Sequence, residues 1–303
     1  RWLGVPWQED AHQTLEAIST LSPDLLVVDH YALDVQWENA LSNAVGKIMV
    51  IDDLANRPHE CALLLDQNLG RVSSDYDELS PTECLRLIGP RYALLRPEFA
   101  ALREQSISRR KNPKIKRILI SLGGVDRANV TGQVLIALGH SSLPVDIELD
   151  IIMGAYAPHL DEVYREAALL PFKATVSVNV QDMAKRMCLA DLSIGAAGGT
   201  SWERSCLGLP SVLVVLSENQ MTGAKALDMV GAARVIDEPS HVKSMLPSIL
   251  EELLKISNVT DNTNYLIRLY DKCINDGLSV IKIPTRFICC NESIRQHNLN
   301  KMV

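Results

Sequence analysis

The sequence predicts a two-domain α/β protein in which each domain is a parallel sheet covered by helices. Three observations carry this expectation. Apolar runs of four to six residues, too short for buried helices and too uniform for half-exposed strands, alternate with stretches of helical periodicity along most of the 303 residues. Two of those runs end in glycine-rich turns that lead into helices, at residues 123–126 and 195–199. Between residues 100 and 116 the chain turns polar and basic, AALREQSISRRKNPKIK, as expected where one domain gives way to the next.

Taken in order, residues 9–21 read as a helix with Leu15, Ile18 and Leu21 on one face. Residues 25–29 follow as a strand, then a helix at 36–45 with Trp37, Ala40, Leu41 and Val45 inward. Short strands are expected at 47–52, 62–66 and 85–89. The first domain thus spans residues 1–105, and because the chain opens in mid-pattern at an arginine, its first βα units are expected to be missing upstream.

The second domain is expected over residues 115–281. Its strands fall at 117–122, 148–153, 175–178, 192–194, 211–215 and 233–236, and its helices at 129–138, 160–169, 181–190, 200–207, from 220, and 240–255. Gly208-Leu209-Pro210 stops the helix that starts at Thr200. A further amphipathic helix is expected at 264–275. Residues 282–303 show neither helical nor strand period and are expected to be a poorly ordered tail.

Composition narrows the function classes. With 47% hydrophobic and 22% charged residues the chain can bury full cores, and a net charge of −7 argues against nucleic-acid or anionic-membrane surfaces. No apolar run reaches the length of a bilayer span, and the first twenty residues lack a signal-peptide pattern. The seven cysteines are scattered without CxxC spacing, as expected of reduced core thiols in a cytoplasmic protein without structural zinc.

The stretch 191–220 carries the strongest chemical signal. A strand running into a small-residue turn and a helix start directs backbone N–H groups at one spot, which suits a phosphate. Glu203, about one helical turn on, suits the hydroxyls of a ribose. Close packing of strand and helix accounts for such a turn equally well. The second glycine turn, with Gly124, places Asp126 as a helix cap and Asn129 towards the same open end of the sheet. In the first domain Asp29, His30 and Tyr31 follow a strand directly and suit a sugar or water; the alternative has Asp29 capping a turn and His30 exposed. Asp52 and Asp53 also follow a strand, with His59 nearby, and turn and capping roles are favoured over a metal. There is no GxSxG, so no activated serine of that kind is indicated.

Five segments occur in a telling order: LLVVDHYALD, VIDDLANRPHECALLLDQN, YALLRPEF, LISLGGVDRANVT and IGAAGGTSWERSCLGLPSVLVV. Over residues 2–281 this order resembles the UDP-2,4-diacetamido-2,4,6-trideoxy-β-L-altropyranose hydrolases of pseudaminic acid biosynthesis. The resemblance implies a GT-B-like fold, two Rossmann-like domains facing each other across a cleft. It implies hydrolysis of a UDP-activated amino sugar at its anomeric C–O bond, releasing UDP and the free sugar. Glu203 then corresponds to the UDP-ribose carboxylate, Gly198, Gly199 and Thr200 to the pyrophosphate turn, and Asn129 to a substrate-binding asparagine. Tyr31 corresponds to a tyrosine near the sugar, and Asn219 and Gln220 to a polar pair on the sugar side. The family requires no metal or other cofactor, its expected partner is the UDP-sugar alone, and the expected state is a monomer.

The family's presumed base lies in a Gly-His-x-x-Arg motif that this sequence does not contain; His12, in a helical pattern without flanking glycines, does not take that role. Two other readings follow from the same fold: a glycosyltransferase using a UDP-sugar donor, and a UDP-sugar-binding remnant without turnover.

Overall fold

The computed structural model describes residues 3–111, 114–256 and the strand Phe287–Asn291. The chain divides into two compact units. The first runs to Ala93 and takes in the C-terminal strand; the second begins at Leu94.

In the first unit, α1 (Trp7–Ile18) leads to β1 (Leu25–Asp29), α2 (Val35–Leu41), β2 (Lys47–Ile51), β3 (Leu63–Asp66) and β4 (Leu85–Ile88). The strands form one parallel sheet, flanked by loops and helices. Their apolar runs are buried because both faces are covered: Leu26, Val28, Trp37, Leu41, Val50 and Leu64 form one core, and Val27, Met49, Leu65 and Leu87 another on the opposite face. Asp34 caps α2 by accepting from the Gln36 N–H at 2.9 Å. Asp10 reaches out of α1 to accept from the Trp37 indole at 2.8 Å, which ties the two helices together.

In the second unit, α3 (Pro97–Arg109) precedes β5 (Arg117–Ser121), α4 (Val130–Gly139), β6 (Glu148–Met153), α5 (Leu160–Leu169), β7 (Lys173–Val178) and α6 (Met183–Leu189). Then come β8 (Leu192–Ala196), α7 (Thr200–Cys206), β9 (Ser211–Val214), α8 (Met221–Met229), β10 (Ala233–Ile236) and α9 (Val242–Ile256). The sheet order is β10-β9-β8-β5-β6-β7, all parallel. The chain therefore builds outward from β5 in one direction, returns, and builds outward from β8 in the other. That reversal is the doubly wound arrangement, and its switch point lies between β5 and β8.

Two expectations need correction. The polar stretch at 100–116 is not a linker: residues 97–109 are helix α3, which belongs to the second unit. Proline at its first turn fits a helix start, Phe99 and Ser106 are buried, and Ser106 Oγ donates to the Leu207 carbonyl at 2.8 Å. Arg110 is buried behind it and donates to the carbonyls of Met187 (2.9 Å) and Ala190 (2.8 Å). The basic residues that look like a domain boundary are thus anchors, and the units part at Ala93 and Leu94 instead. The second correction concerns the tail. Phe287–Asn291, β11, pairs in parallel with β1, Leu25 opposite Phe287, and the first sheet runs β11-β1-β2-β3-β4. The helix expected at 264–275 and the remainder of 282–303 lie outside the described residues.

Candidate functional site

In an open parallel sheet the loops at the carboxyl ends of the strands converge at the switch point. Here those are the loops after β5 and β8, whose strands pair directly, Ser121 opposite Gly195.

The loop after β5 is shaped by glycine and closed by its own side chains. Gly123 has φ +96°, a left-handed conformation that disfavours other residues. A Cβ on Gly154, just past β6, would lie 1.8 Å from the Gly124 carbonyl oxygen, so that glycine lets two backbones touch. Asp126 accepts from Val130 N–H (2.9 Å) and Thr131 N–H (2.8 Å), and Asn129 from Gly132 N–H (3.1 Å). Two side chains therefore satisfy three of the orphan donors at the start of α4. Asn129 also donates to Glu162 at 2.8 Å, so its amide is committed on both sides.

The loop after β8 differs in its helix start, which is left uncapped, while Gly124 on the first loop and Gly199 on the second both have nothing within 4 Å of a Cβ. Among the described residues no side chain caps α7. Gly199 has φ −53°, which any residue can adopt, and nothing lies within 4 Å of where its Cβ would be. A Cβ on Gly198 would stand 3.6 Å from Gln220 Nε2. These two glycines are not required by the chain's conformation; what they provide is clear space above the turn. Gln220 is fixed over it by accepting from Leu216 N–H at 3.0 Å, while Asn219 accepts from the Ser217 hydroxyl at 2.5 Å. Thr200 is exposed at the helix start.

Beneath this turn lies Arg204, which the sequence reading does not single out. It is 1% exposed, and its guanidinium donates to the Ala196 carbonyl (2.6 Å) and Ser201 Oγ (3.1 Å). Gly195 makes room for it, since a Cβ there would fall 2.4 Å from Arg204 Nη1. Burial lowers its pKa to about 10, with the Glu203 charge opposing. The group stays cationic at neutral pH, so the turn sits on a buried positive charge. No sequence pattern marks it: Trp202 and Cys206, four residues apart, share a helix face and Arg204 falls on the other, yet all three are buried.

Glu203 is half-buried on the same helix. Burial pushes its carboxyl up, while Arg96, 3.4 Å from Oε1, pulls it down. Arg96 also pairs with Glu98 at 3.0 Å and lies over the Phe99 ring. Gly198, Gly199, Thr200, Glu203 and Gln220 therefore share one side of the switch point, with Gly124 and Asn129 on the adjoining loop.

Tyr31 belongs to the first unit, where the carboxyl ends of β1, β2 and β3 carry a polar network. Its hydroxyl donates to Asp53 Oδ2 at 3.0 Å. The other Asp53 oxygen is buried with no hydrogen-bond partner among the described residues, and burial raises the carboxyl despite the Tyr31 hydrogen bond. Asp52 is occupied by Arg57 (2.7 Å), Ala55 N–H (2.8 Å) and the Tyr76 hydroxyl (3.0 Å). Burial pushes against it, but these partners, Arg57 first, hold its carboxyl below the usual range. His30 is not exposed as one reading had it: it is buried, and its Nδ1 accepts from Ala32 N–H at 3.1 Å, which places any ring proton of the neutral form on Nε2. His59 stands apart from Asp52 and Asp53 in role, buried against Glu38 at 2.7 Å. His12 is exposed beside Glu16.

Comparison with known proteins bears on the second unit most directly. Residues 134–265 match the glycosyltransferase family 28 C-terminal domain. The chain is 28% identical over 218 residues to the uncharacterized protein MJ1062 of Methanocaldococcus jannaschii, covering 70% of this chain and 44% of that one. It is 31% identical over 162 residues to UDP-2,4-diacetamido-2,4,6-trideoxy-beta-L-altropyranose hydrolase of Campylobacter jejuni, covering 53% of this chain and 55% of that one. The chain thus spans about half the length of these curated relatives. Among solved structures, Acinetobacter baumannii MurG superposes with a TM-score of 0.55 at 17% identity, covering 88% of this chain and 78% of that one. The fold is that of the GT-B glycosyltransferases, two parallel-sheet α/β units, and its second unit carries a sequence match to the family 28 C-terminal domain.

Proposed function

We propose that the second unit binds UDP at the turn after β8, and that the protein to which this chain corresponds hydrolyses a UDP-activated diacetamido-trideoxy-hexose at its anomeric C–O bond. The observation that carries the nucleotide reading is the contrast between the two loops of the switch point. In one the helix N–H groups are taken by Asp126 and Asn129, while the other leaves an uncapped turn with a buried arginine beneath and clear space over Gly199. In this reading the diphosphate lies over Gly198, Gly199 and Thr200, with Gln220 Nε2 as a side-chain donor. Glu203 accepts from the ribose hydroxyls, and Arg96 opposes the rise in its pKa that burial causes. The departing diphosphate is stabilised by N–H groups and the Arg204 charge, positioned before the bond breaks. Asn129 would contact substrate only by exchanging its bond to Glu162. The choice of sugar and of water as acceptor is supported by the 31% identity to the Campylobacter hydrolase.

A glycosyltransferase with a UDP-sugar donor is the second reading, favoured by the family 28 domain match. Calorimetric titration with UDP, with CMP as control, tests the shared part. UDP binding that falls at least tenfold in Glu203→Ala supports the site, since a hydrogen bond to a charged group contributes about 1.5–3 kcal/mol. Binding unchanged in that variant, or equal binding of CMP, sinks it. The two enzyme readings separate on whether UDP is released from the UDP-sugar with water as the only acceptor.

A further inference from the structure

Two of the cysteines that read as inert core thiols stand together. Cys61 lies two residues before β3 and Cys84 directly before β4, so both sit at the amino ends of neighbouring parallel strands, opposite the edge that carries Tyr31, Asp52 and Asp53. Their sulfurs are 3.6 Å apart. Both line a cavity of about 300 Å³ whose other walls include the exposed residues Lys47, Glu60 and Glu83, so the pair is buried but reachable from solvent.

We propose that Cys61 and Cys84 form a modification site: a dithiol that small, neutral disulfides convert reversibly to an intramolecular disulfide. The sulfurs need to close from 3.6 Å to about 2.05 Å, and both cysteines lead into strands that pair with each other, Leu63 opposite Leu85. The two thiols are also unequal. Either thiol can donate in the bond between them; with Cys61 donating, that bond, with help from Ser80 and the Arg86 guanidinium, holds the Cys84 pKa down to about 7 against burial and Glu60. Arg86 in turn donates to Ser80 Oγ at 3.0 Å, which fixes both helpers. In that arrangement Cys61 is pushed up by the same bond, by burial, and by Glu38 and Glu60. The Ser80 and Arg86 neighbours of Cys84 thus favour it as the nucleophile, with Cys61 as the resolving thiol.

In the first step the Cys84 thiolate attacks one sulfur of the disulfide RSSR, forming a mixed disulfide and releasing RS⁻. In the second, Cys61 loses its proton to the released thiolate and attacks Cys84 Sγ, expelling the second RS⁻, which takes up a proton from solvent. Two protein thiols are oxidised and RSSR is reduced to two RSH. The acidic residues at the cavity mouth favour a neutral reagent over an anionic one such as glutathione disulfide. The inference is independent of the nucleotide reading, since it concerns the other unit and the other edge of its sheet.

The test uses the full chain with 2-hydroxyethyl disulfide at pH 7.5, quenched in acid, then alkylated under denaturing conditions and digested without reductant. Trypsin cleaves after Arg71 and Arg86 and leaves the two cysteines on separate peptides. The expected product is a Cys61–Cys84 linked peptide that dithiothreitol resolves, with Cys188 and Cys206, buried in the second unit, recovered alkylated. Cys61→Ser should leave Cys84 as a stable mixed disulfide, and Cys84→Ser should leave Cys61 unmodified. Recovery of both cysteines as alkylated thiols from folded wild-type protein overturns the proposal, as does linkage of either to a different cysteine. Should the serine variants not fold, the wild-type peptide map decides alone.

Discussion

At the scale of single residues, the distinction that matters is between glycines the chain needs and glycines a ligand would need. Gly123 and Gly154 belong to the first kind, one through its φ of +96° and the other through a backbone contact. Gly199 belongs to the second: its φ is ordinary and its Cβ direction is empty. Gly199→Ala is therefore expected to leave unfolding free energy within about 0.5 kcal/mol of wild type, as surface substitutions do, while UDP binding weakens at least tenfold. Urea unfolding and calorimetry on the same preparation check both halves. Equal UDP affinity in a stable variant would mean that the diphosphate does not lie over this turn. The sequence marks Gly198, Gly199 and Glu203 but not Arg204 or Arg96. A lone arginine in a seven-residue helix has no pattern to betray its burial, and Arg96 meets Glu203 across 107 positions of sequence.

At the scale of elements, short apolar runs fix strands well because a strand buried on both faces has no alternative use for four to six consecutive apolar side chains. The strands at 25–29 and 148–153 fall where the sequence puts them. Helix α3 is missed for the converse reason. It buries only Phe99 and Ser106, and its exposed positions are as polar as a linker. Strand β11 is missed because FICCN is flanked by residues of no period, and its strand character comes from its partner β1. Tight packing between elements yields its own expectation. Gly154→Ala places a methyl 1.8 Å from the Gly124 carbonyl, and backbone cannot step aside as a flexible side chain can. The variant should lose about 1–3 kcal/mol of stability, the usual cost of overpacking, and lower the midpoint of chemical denaturation accordingly. An unchanged midpoint would show that the loop after β5 is free to move.

At the scale of the whole molecule, the stability curve against pH should carry the mark of the first unit's carboxylates. The Tyr76 hydroxyl lies within hydrogen-bond distance of two of them, Asp52 Oδ2 at 3.0 Å and Asp66 Oδ2 at 2.9 Å, and has one proton to give. Asp52 also holds Arg57, so the two buried carboxyls share that one hydroxyl proton. Burial accordingly lifts the Asp66 carboxyl to about 6, with the Asn68 N–H, the Tyr76 hydroxyl and Arg71 opposing. A carboxyl whose folded pKa lies above its unfolded value binds more protons in the native state, so its stabilisation is complete below the unfolded pKa and is lost as pH rises through the folded one. Between pH 4 and pH 7 Asp66 should therefore cost the native state about 3 kcal/mol at most. Asp52, with its pKa lowered, acts with the opposite sign, and its contribution is lost as pH falls into the acid range. Asp66→Asn removes the first effect and leaves the second. Urea unfolding at pH 5 and pH 8 should show wild type losing more stability over that interval than the variant, with the two converging at the acid end. A wild-type loss no greater than that of Asp66→Asn would mean that burial does not raise the Asp66 carboxyl in the native protein.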